Sequence, residues 1–371
     1  MNIVEVTATN LTIPYETPYR PAWQPGIVRN SRDFTLVRIE TDDGIVGYGG
    51  SDGHQAGNVR SNVAPYMVGK PAWLTEEHAR VFRNAGGTWF IDQALWDLIG
   101  KAAGMPLYKL WGAAHEKVKA YASTSELGTP RDRAELARRY RSEGFLAMKL
   151  RFHCDRIEDD LALLDAAMEA APDAIFMVDA NQATFLPAAR PSPKWDYRRA
   201  LATARELEKR GVLWLEEPLS KFDFENLARL RDETQIYIAG GESNRELHEF
   251  RWLIEQGVYD IIQPDCCLSE GISQLRKIAA LAEAHKRHFI PHHGLSGLGL
   301  AATIQLACCT PGLAWMEMMY EPPTRTIDIY QRLGGIIKNK IWIDAEGYVA
   351  PPDGPGLGIT IDEEMIPRYA V

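Results

Sequence analysis

Apolar and polar positions alternate with two different periods along this chain, and the pattern changes near residue 118. Before it, the β-branched runs "IVEVTATNLTIP" and "FTLVRIETDDGIVGYGGSD" predict antiparallel strands, the second turning at Asp42-Asp43-Gly44. In "TWFIDQALWDLIGKAAGMPLYKLWG", Ile91, Ala94, Leu95, Leu98 and Ile99 recur at helical spacing until Gly104-Met105-Pro106 ends the run. An α+β unit over residues 1–117 is the expectation.

From residue 118 short apolar strands alternate with amphipathic helices. The strands are "VKAYAS" (118–123), "LAMKLR" (146–151), "IFMVDA" (175–180), "VLWLEE" (212–217), "IYIAGG" (236–241), "DIIQPD" (260–265), "HFIPHH" (288–293) and "LAWMEM" (313–318). Strands about 25 to 35 residues apart, with helices such as "DRAELARRYRSEG" between them, predict an α/β fold, a (β/α)8 TIM-type barrel over 118–340. A doubly wound sheet would favour a Gly-rich turn after the first strand, and "YASTSELGTP" is not one. The proline-rich stretch 183–197 reads as an excursion over the barrel mouth. Residues 341–371 return to strand and turn chemistry, which predicts a C-terminal segment completing the first, capping unit.

Composition narrows the partners. Of 371 residues, 46% are hydrophobic and 25% charged, ordinary for a globular protein, and the net charge of −9 disfavours nucleic acid and anionic membrane. Small anions respond to local charge and stay open. No apolar run approaches the ~20 residues that span a bilayer. The opening "MNIVEVTATNLTIPYE" shows no secretory pattern. Five cysteines fit neither a disulfide framework nor zinc knuckles, so buried thiols in a reducing cytoplasm are expected.

The strand ends carry the chemistry, because barrel enzymes place catalytic groups there. In order they are Lys149 and Arg151, Asp179 and Asn181, Glu216 and Glu217, Glu242, Asp265, His292 and His293, and Glu317. One ionisable strand end is ordinarily a cap or a solvated side chain; seven successive ones are not explained by capping. Asp179, Glu216 and Glu242 end neighbouring strands and would repel unless a hard cation neutralised them, and an all-oxygen set suits Mg²⁺. Asp265 beside His292 would fix the imidazole tautomer and raise its basicity, as a general base requires. His293 is expected on the opposite side. Lys149 and Arg151 share one strand face.

The motifs "AMKLR", "VDANQ", "WLEEP", "GGES", "QPD", "PHH" and "WME", with "IDQALWDLIGKAAG" and "DGPGLGI", resemble the enolase superfamily, mandelate racemase subgroup, over essentially the whole chain. The resemblance implies Mg²⁺ on Asp179, Glu216 and Glu242, with Glu216 chosen over Glu217 by family pattern. Glu217 and Asn181 then stand behind the ligands or near substrate. It further implies an enediolate formed by removal of the proton α to a carboxylate, His292 with Asp265 as acid/base, a protonated Glu317 donating to the substrate carboxylate, and an even-numbered homo-oligomer.

Many members carry a second lysine base where this chain has Arg151, and arginine releases its proton poorly. That departure favours one-base chemistry: loss of water from an aldonate or aldarate to give a 2-keto-3-deoxy acid. Tyr15, Tyr19, Arg20, Trp23 and His54 are expected over the distal end of the substrate, and Arg20 is a candidate for a second carboxylate. A racemase or epimerase of an α-hydroxy or amino acid is the main alternative. A barrel metallohydrolase lacks its His-x-His, and a non-catalytic metal-binding paralogue would not need the dyad.

Overall fold

A computed structural model describes residues 1–184, 189 and 192–371. The proline-rich stretch 183–197 therefore lies partly outside the described residues. Strands β1 (Ile3–Tyr19), β2 (Arg29–Thr41) and β3 (Val46–Asp52) form a three-stranded antiparallel sheet. Gly44, at φ +78°, donates its N–H to Thr41 and makes the turn between β2 and β3. Helices α1 (Ala56–Asn62), α2 (Ala64–Met67), α3 (Thr75–Asn84), α4 (Ile91–Ala102) and α5 (Leu107–Trp111) follow. The apolar stripe of α4 is buried against the sheet, and its polar face is buried as well. Asp92 accepts the N–H and hydroxyl of Ser273, and Trp96 donates to the same hydroxyl at 2.9 Å.

Eight parallel strands then curl into a barrel: β4 (Val118–Ser123), β5 (Ala147–Arg151), β6 (Ile175–Asp179), β7 (Trp214–Glu216), β8 (Tyr237–Gly240), β9 (Ile261–Ile262), β10 (His288–Phe289) and β11 (Trp315–Met319). Each pairs with the next from β4 to β10, and β11 returns to pair with β4. No ladder joins β10 to β11 among the described residues, so the barrel has one open seam.

Seven helices stand between the strands: α6 (Pro130–Ser142), α7 (Ile157–Ala170), α8 (Tyr197–Lys209), α9 (Phe224–Glu233), α10 (Glu246–Glu255), α11 (Ile272–Ala284) and α12 (Gly297–Ala307). Where an eighth helix would follow β11, the chain forms a π-helical turn, Ile327–Gln331, and a short 3-10 turn. Local signals explain helix starts. Thr129 and Asp132 cap α6 reciprocally, with Pro130 in its first turn, where a missing N–H costs nothing.

Inside the barrel, Tyr121, Ala147, Met177, Trp214, Ala239, Ile261, Ile290 and Trp315 form a closed apolar floor. Strand alternation puts the residue two further along each strand directly above it. Those residues are Ser123, Lys149, Asp179, Glu216, Gly241, Gln263, His292 and Glu317. The dry floor thus carries a layer that is polar at every strand but one.

The last segment touches both units. Strand β12 (Tyr348–Val349) pairs antiparallel with Val118 and Lys119, where β5 does not reach. Beyond it, Leu357 donates to Asp97 of α4, and Val371 donates to Asn10 of β1. No helix among the described residues is long and apolar enough to cross a membrane. All five cysteines are free; Cys266, Cys267 and Cys308 are buried, and Cys154 and Cys309 are half-buried.

Candidate active site

Above the apolar floor lies a cavity of about 140 Å³, lined by residues of both units. The barrel supplies Arg151, Asn181, Glu217, Glu242, His292, His293 and Met319; the first unit supplies Trp23, Arg29 and Asp52.

Cations and carboxylates alternate around this space. Lys149 is fully buried, 2.6 Å from Glu216, 3.0 Å from Glu317 and 3.9 Å from Asp179. Burial alone would favour its neutral amine, but these carboxylates hold it protonated. Arg151 pairs with Asp179, donates Nε to the Thr124 carbonyl at 2.8 Å and Nη2 to Ser123 at 3.1 Å. Its guanidinium stands over the Trp23 ring at 5.4 Å. Burial opposes its charge and is outweighed by Asp179, Glu317, Glu216 and Glu242, so Arg151 is fixed in place as a cation.

His292 sits between three carboxylates. Its Nδ1 is 2.6 Å from Asp265, whose other oxygen accepts from the Cys267 N–H, and its Nε2 is 2.7 Å from Glu242 and 3.7 Å from Glu317. The expected dyad is therefore formed, with Nε2 toward the cavity. Burial lowers the basicity of His292, but Glu242, Asp265 and Glu317 outweigh it and raise its pKa well above the ordinary value.

Four carboxyls crowd the pole opposite the seam. Burial, only partly offset by Arg151, pushes Asp179 up to about 7. Burial and then Glu242, Asp179 and Glu216 push Glu217 well above the carboxylate range. Glu242 goes the other way, to about 2, because His292 outweighs its burial.

Of the Glu216–Glu217 pair, Glu217 faces the cavity. Glu216 is turned inward by strand alternation, where it accepts from Lys149, from Trp214 at 3.0 Å and from Gln263 at 3.0 Å. Glu217, at φ +46°, turns the chain out of register, and its Oε1 is buried without a hydrogen-bond partner. Asn181, at φ +48°, does the same after β6 and donates to both oxygens of Asp179. An oxygen-only donor set, an orphaned buried carboxylate oxygen and mutual repulsion together fit a hard divalent cation.

Several expectations are corrected by the geometry. Glu317 is no neutral acid here: burial would protonate it, but Lys149, His292, His293 and Arg151 hold it well below the carboxylate range. His293 is not on the far side. β10 ends at Phe289, so alternation lapses, and the His293 ring lies 4.0 Å from that of His292 on the same cavity. Arg20 is exposed and lies on a separate cleft with Glu126 and His153. His54 is away from the cavity, engaged with Thr12 and the Leu11 carbonyl. Tyr19 is fully buried beneath the lining, and Tyr15 packs against it with ring centres 5.6 Å apart. Trp23 alone of that group lines the site.

Sequence reasoning missed Arg325 and Tyr330, which line the cavity from the segment after β11, and Asp52 and Arg29 from the first unit. No periodicity marks such residues, and no sequence signal set them apart.

Comparison with known proteins agrees with this architecture. The family model described as "Mandelate racemase / muconate lactonizing enzyme, N-terminal domain" matches residues 6–112, and "Enolase C-terminal domain-like" matches residues 132–365. Arabinonate dehydratase of Saccharolobus solfataricus is 30% identical, over 93% of this chain and 92% of that protein. D-galactarolactone cycloisomerase of Agrobacterium fabrum is 30% identical over 100% of this chain and 99% of that protein. A racemase from Streptomyces coelicolor A3(2), solved with bound magnesium, superposes with a TM-score of 0.83 at 27% identity, covering all of both chains. This chain is an enzyme of the enolase superfamily and belongs to its mandelate racemase/muconate lactonizing subgroup.

Proposed function

We propose that the protein removes the proton α to the carboxylate of an acid sugar and eliminates the β-hydroxyl, giving a 2-keto-3-deoxy acid, with Mg²⁺ as its cation. One observation carries this reading: the cavity holds a single dyad built for proton transfer, His292 with Asp265, while the opposing position holds Arg151 locked in four contacts. A racemase needs a competent group on each face of the α-carbon. A dehydratase needs one.

Asp179, Glu217 and Glu242, with Glu216 behind them, would hold the cation, which supplies a Lewis acid for the substrate carboxylate. Asp265 accepts the Nδ1 proton of His292, leaving Nε2 to take the α-proton once Glu242 no longer holds it in an ion pair. The same Nε2–H then returns its proton to the departing β-oxygen. Lys149, buried among carboxylates, sets fixed positive charge beside the developing enediolate, and Arg151 adds a second. Elimination of a ring oxygen from a lactone would use these same groups, which accommodates the likeness to a cycloisomerase.

The test is a panel of aldonates, aldarates and their lactones with Mg²⁺, assayed for 2-keto acid. At least one should turn over, and His292→Asn should lose on the order of 10²–10⁴-fold in kcat/KM while binding Mg²⁺. Deuterium exchange at Cα of recovered substrate without keto acid would instead establish the racemase.

A further inference from the structure

Arg325 has no place in the chemistry above, yet it is a buried cation on the same cavity. Its side chain is 6% exposed and its Nε is buried without a hydrogen-bond partner. Among the described residues it forms no ion pair, although every other buried guanidinium of the site has a carboxylate: Arg151 has Asp179 and Arg32 has Asp52. What surrounds Arg325 instead is aromatic. The guanidinium stands over the Tyr19 ring at 4.2 Å and the Tyr330 ring at 4.6 Å. Arg32 approaches Tyr330 as well, at 4.4 Å.

A buried, unpaired charge is costly, and stacking on rings recovers only part of its lost hydration. The arrangement suits a receptor: two rings lie against the guanidinium, and its Nε donor has no acceptor among the described residues and is left for an anion. The position of the anion follows from what lies next to it. Tyr330 hydrogen-bonds His293, and the His293 ring lies tilted against that of His292, so two rings separate Arg325 from the dyad. The cavity is thus bipolar. Acidic groups for a metal-held carboxylate occupy one end; at the other, Arg325 is joined by the Arg32–Asp52 pair and by exposed Arg29, so positive charge is in excess there.

We infer that Arg325 binds the distal carboxylate of a dicarboxylic substrate, making the protein selective for an acid sugar with a carboxylate at both ends over one ending in a primary alcohol. The inference rests on the proposed function for its near end, where the α-carboxylate is held. A planar carboxylate matches the guanidinium fork in a bidentate manner, which a hydroxymethyl group does not. An aldonate would leave the charge buried and unpaired, so discrimination should be strong.

Binding of unreactive acids separates this inference from the reaction. With Mg²⁺ in excess, calorimetry on the wild-type protein should give adipate a Kd at least tenfold below that of hexanoate, beyond the twofold expected from having two equivalent ends. Arg325→Met should erase the preference, with its fold checked by circular dichroism. Equal binding of adipate and hexanoate to the wild type overturns the inference without any variant. Tighter binding of 6-phosphohexanoate than of adipate overturns the carboxylate in favour of a phosphate ester. If adipate is preferred through Arg325 but no acid sugar is dehydrated, the elimination reading falls and the diacid site stands. If acid sugars are dehydrated and adipate is not preferred, only the diacid site falls.

Discussion

Lys149 and Arg151 show how far a strand face can be read from sequence. Their spacing put both on one side, and both do point into the barrel beside Asp179 and Glu317. The dyad of Asp265 and His292 was legible for the same reason. Glu217 and His293 were not, because each lies past the end of its strand. A left-handed residue turns one, and an irregular segment turns the other. Arg325 was illegible altogether, since what sets it apart is that no carboxylate among the described residues pairs with it.

At this scale two outcomes follow from the crowded carboxyls. Asp179, at about 7 against an ordinary 3.8, contributes stability that is present below about pH 4 and lost as pH rises through 7; Glu217 shifts in the same sense. His153, lowered to about 4 by burial, and His293 act oppositely below their ordinary pKa. Those histidines are common to samples with and without metal. The gap in Tm between protein in Mg²⁺ and protein in chelator should therefore widen from pH 5 to pH 8, as read by calorimetry. Glu217→Gln removes one of the repelling charges. In chelator at pH 8 its Tm should exceed that of the wild type, and its Mg²⁺ affinity should fall about tenfold or more.

Among the elements, the join between β10 and α12 is the most demanding. A Cβ on Gly299 would lie 1.7 Å from the Gly294 carbonyl oxygen, and Gly294 itself adopts φ +75°. The hydroxyl of Ser296 caps α12 by accepting from Gly299. This tight packing anchors the segment that carries both histidines. Gly299→Ala cannot be accommodated without moving that segment, at a cost of about 1–3 kcal/mol. A lower Tm with kcat/KM reduced by tenfold or more, and Mg²⁺ affinity retained, is the expected pattern. The strand and helix succession itself was readable from apolar periodicity; the missing helix after β11 was not, because "TIDIYQRLGG" has a helical texture that the π-helical turn ends early.

Across the whole molecule, the site belongs to neither unit alone. Arg32, on β2, donates to the Tyr330 carbonyl at 2.7 Å and to that of Leu295, and it pairs with Asp52. It fastens the first sheet to the two barrel segments that flank the cavity. Arg32→Ala leaves the Tyr330 carbonyl buried and unpaired, at about 1–3 kcal/mol. It should lower Tm and raise KM more than it lowers kcat, since it disturbs the substrate's distal end and spares the dyad. Sequence alone showed two units and brought Trp23 to the site; that Arg32 fastens the units together no local pattern distinguishes.

The open seam between β10 and β11 has a mechanical meaning. Around the rest of the barrel, neighbouring staves are tied by backbone hydrogen bonds, so changing their separation means breaking a ladder. At the seam no ladder is present among the described residues. His292 stands on one side of it and Glu317 on the other, with 3.7 Å between them. The distance from the proton-carrying imidazole to the fixed carboxylate is thus the most compliant dimension of an otherwise rigid ring. Widening that gap would break no strand ladder and would be opposed only by side-chain and loop packing, while the spacing of the metal pole is set by the ladders that join β6, β7 and β8.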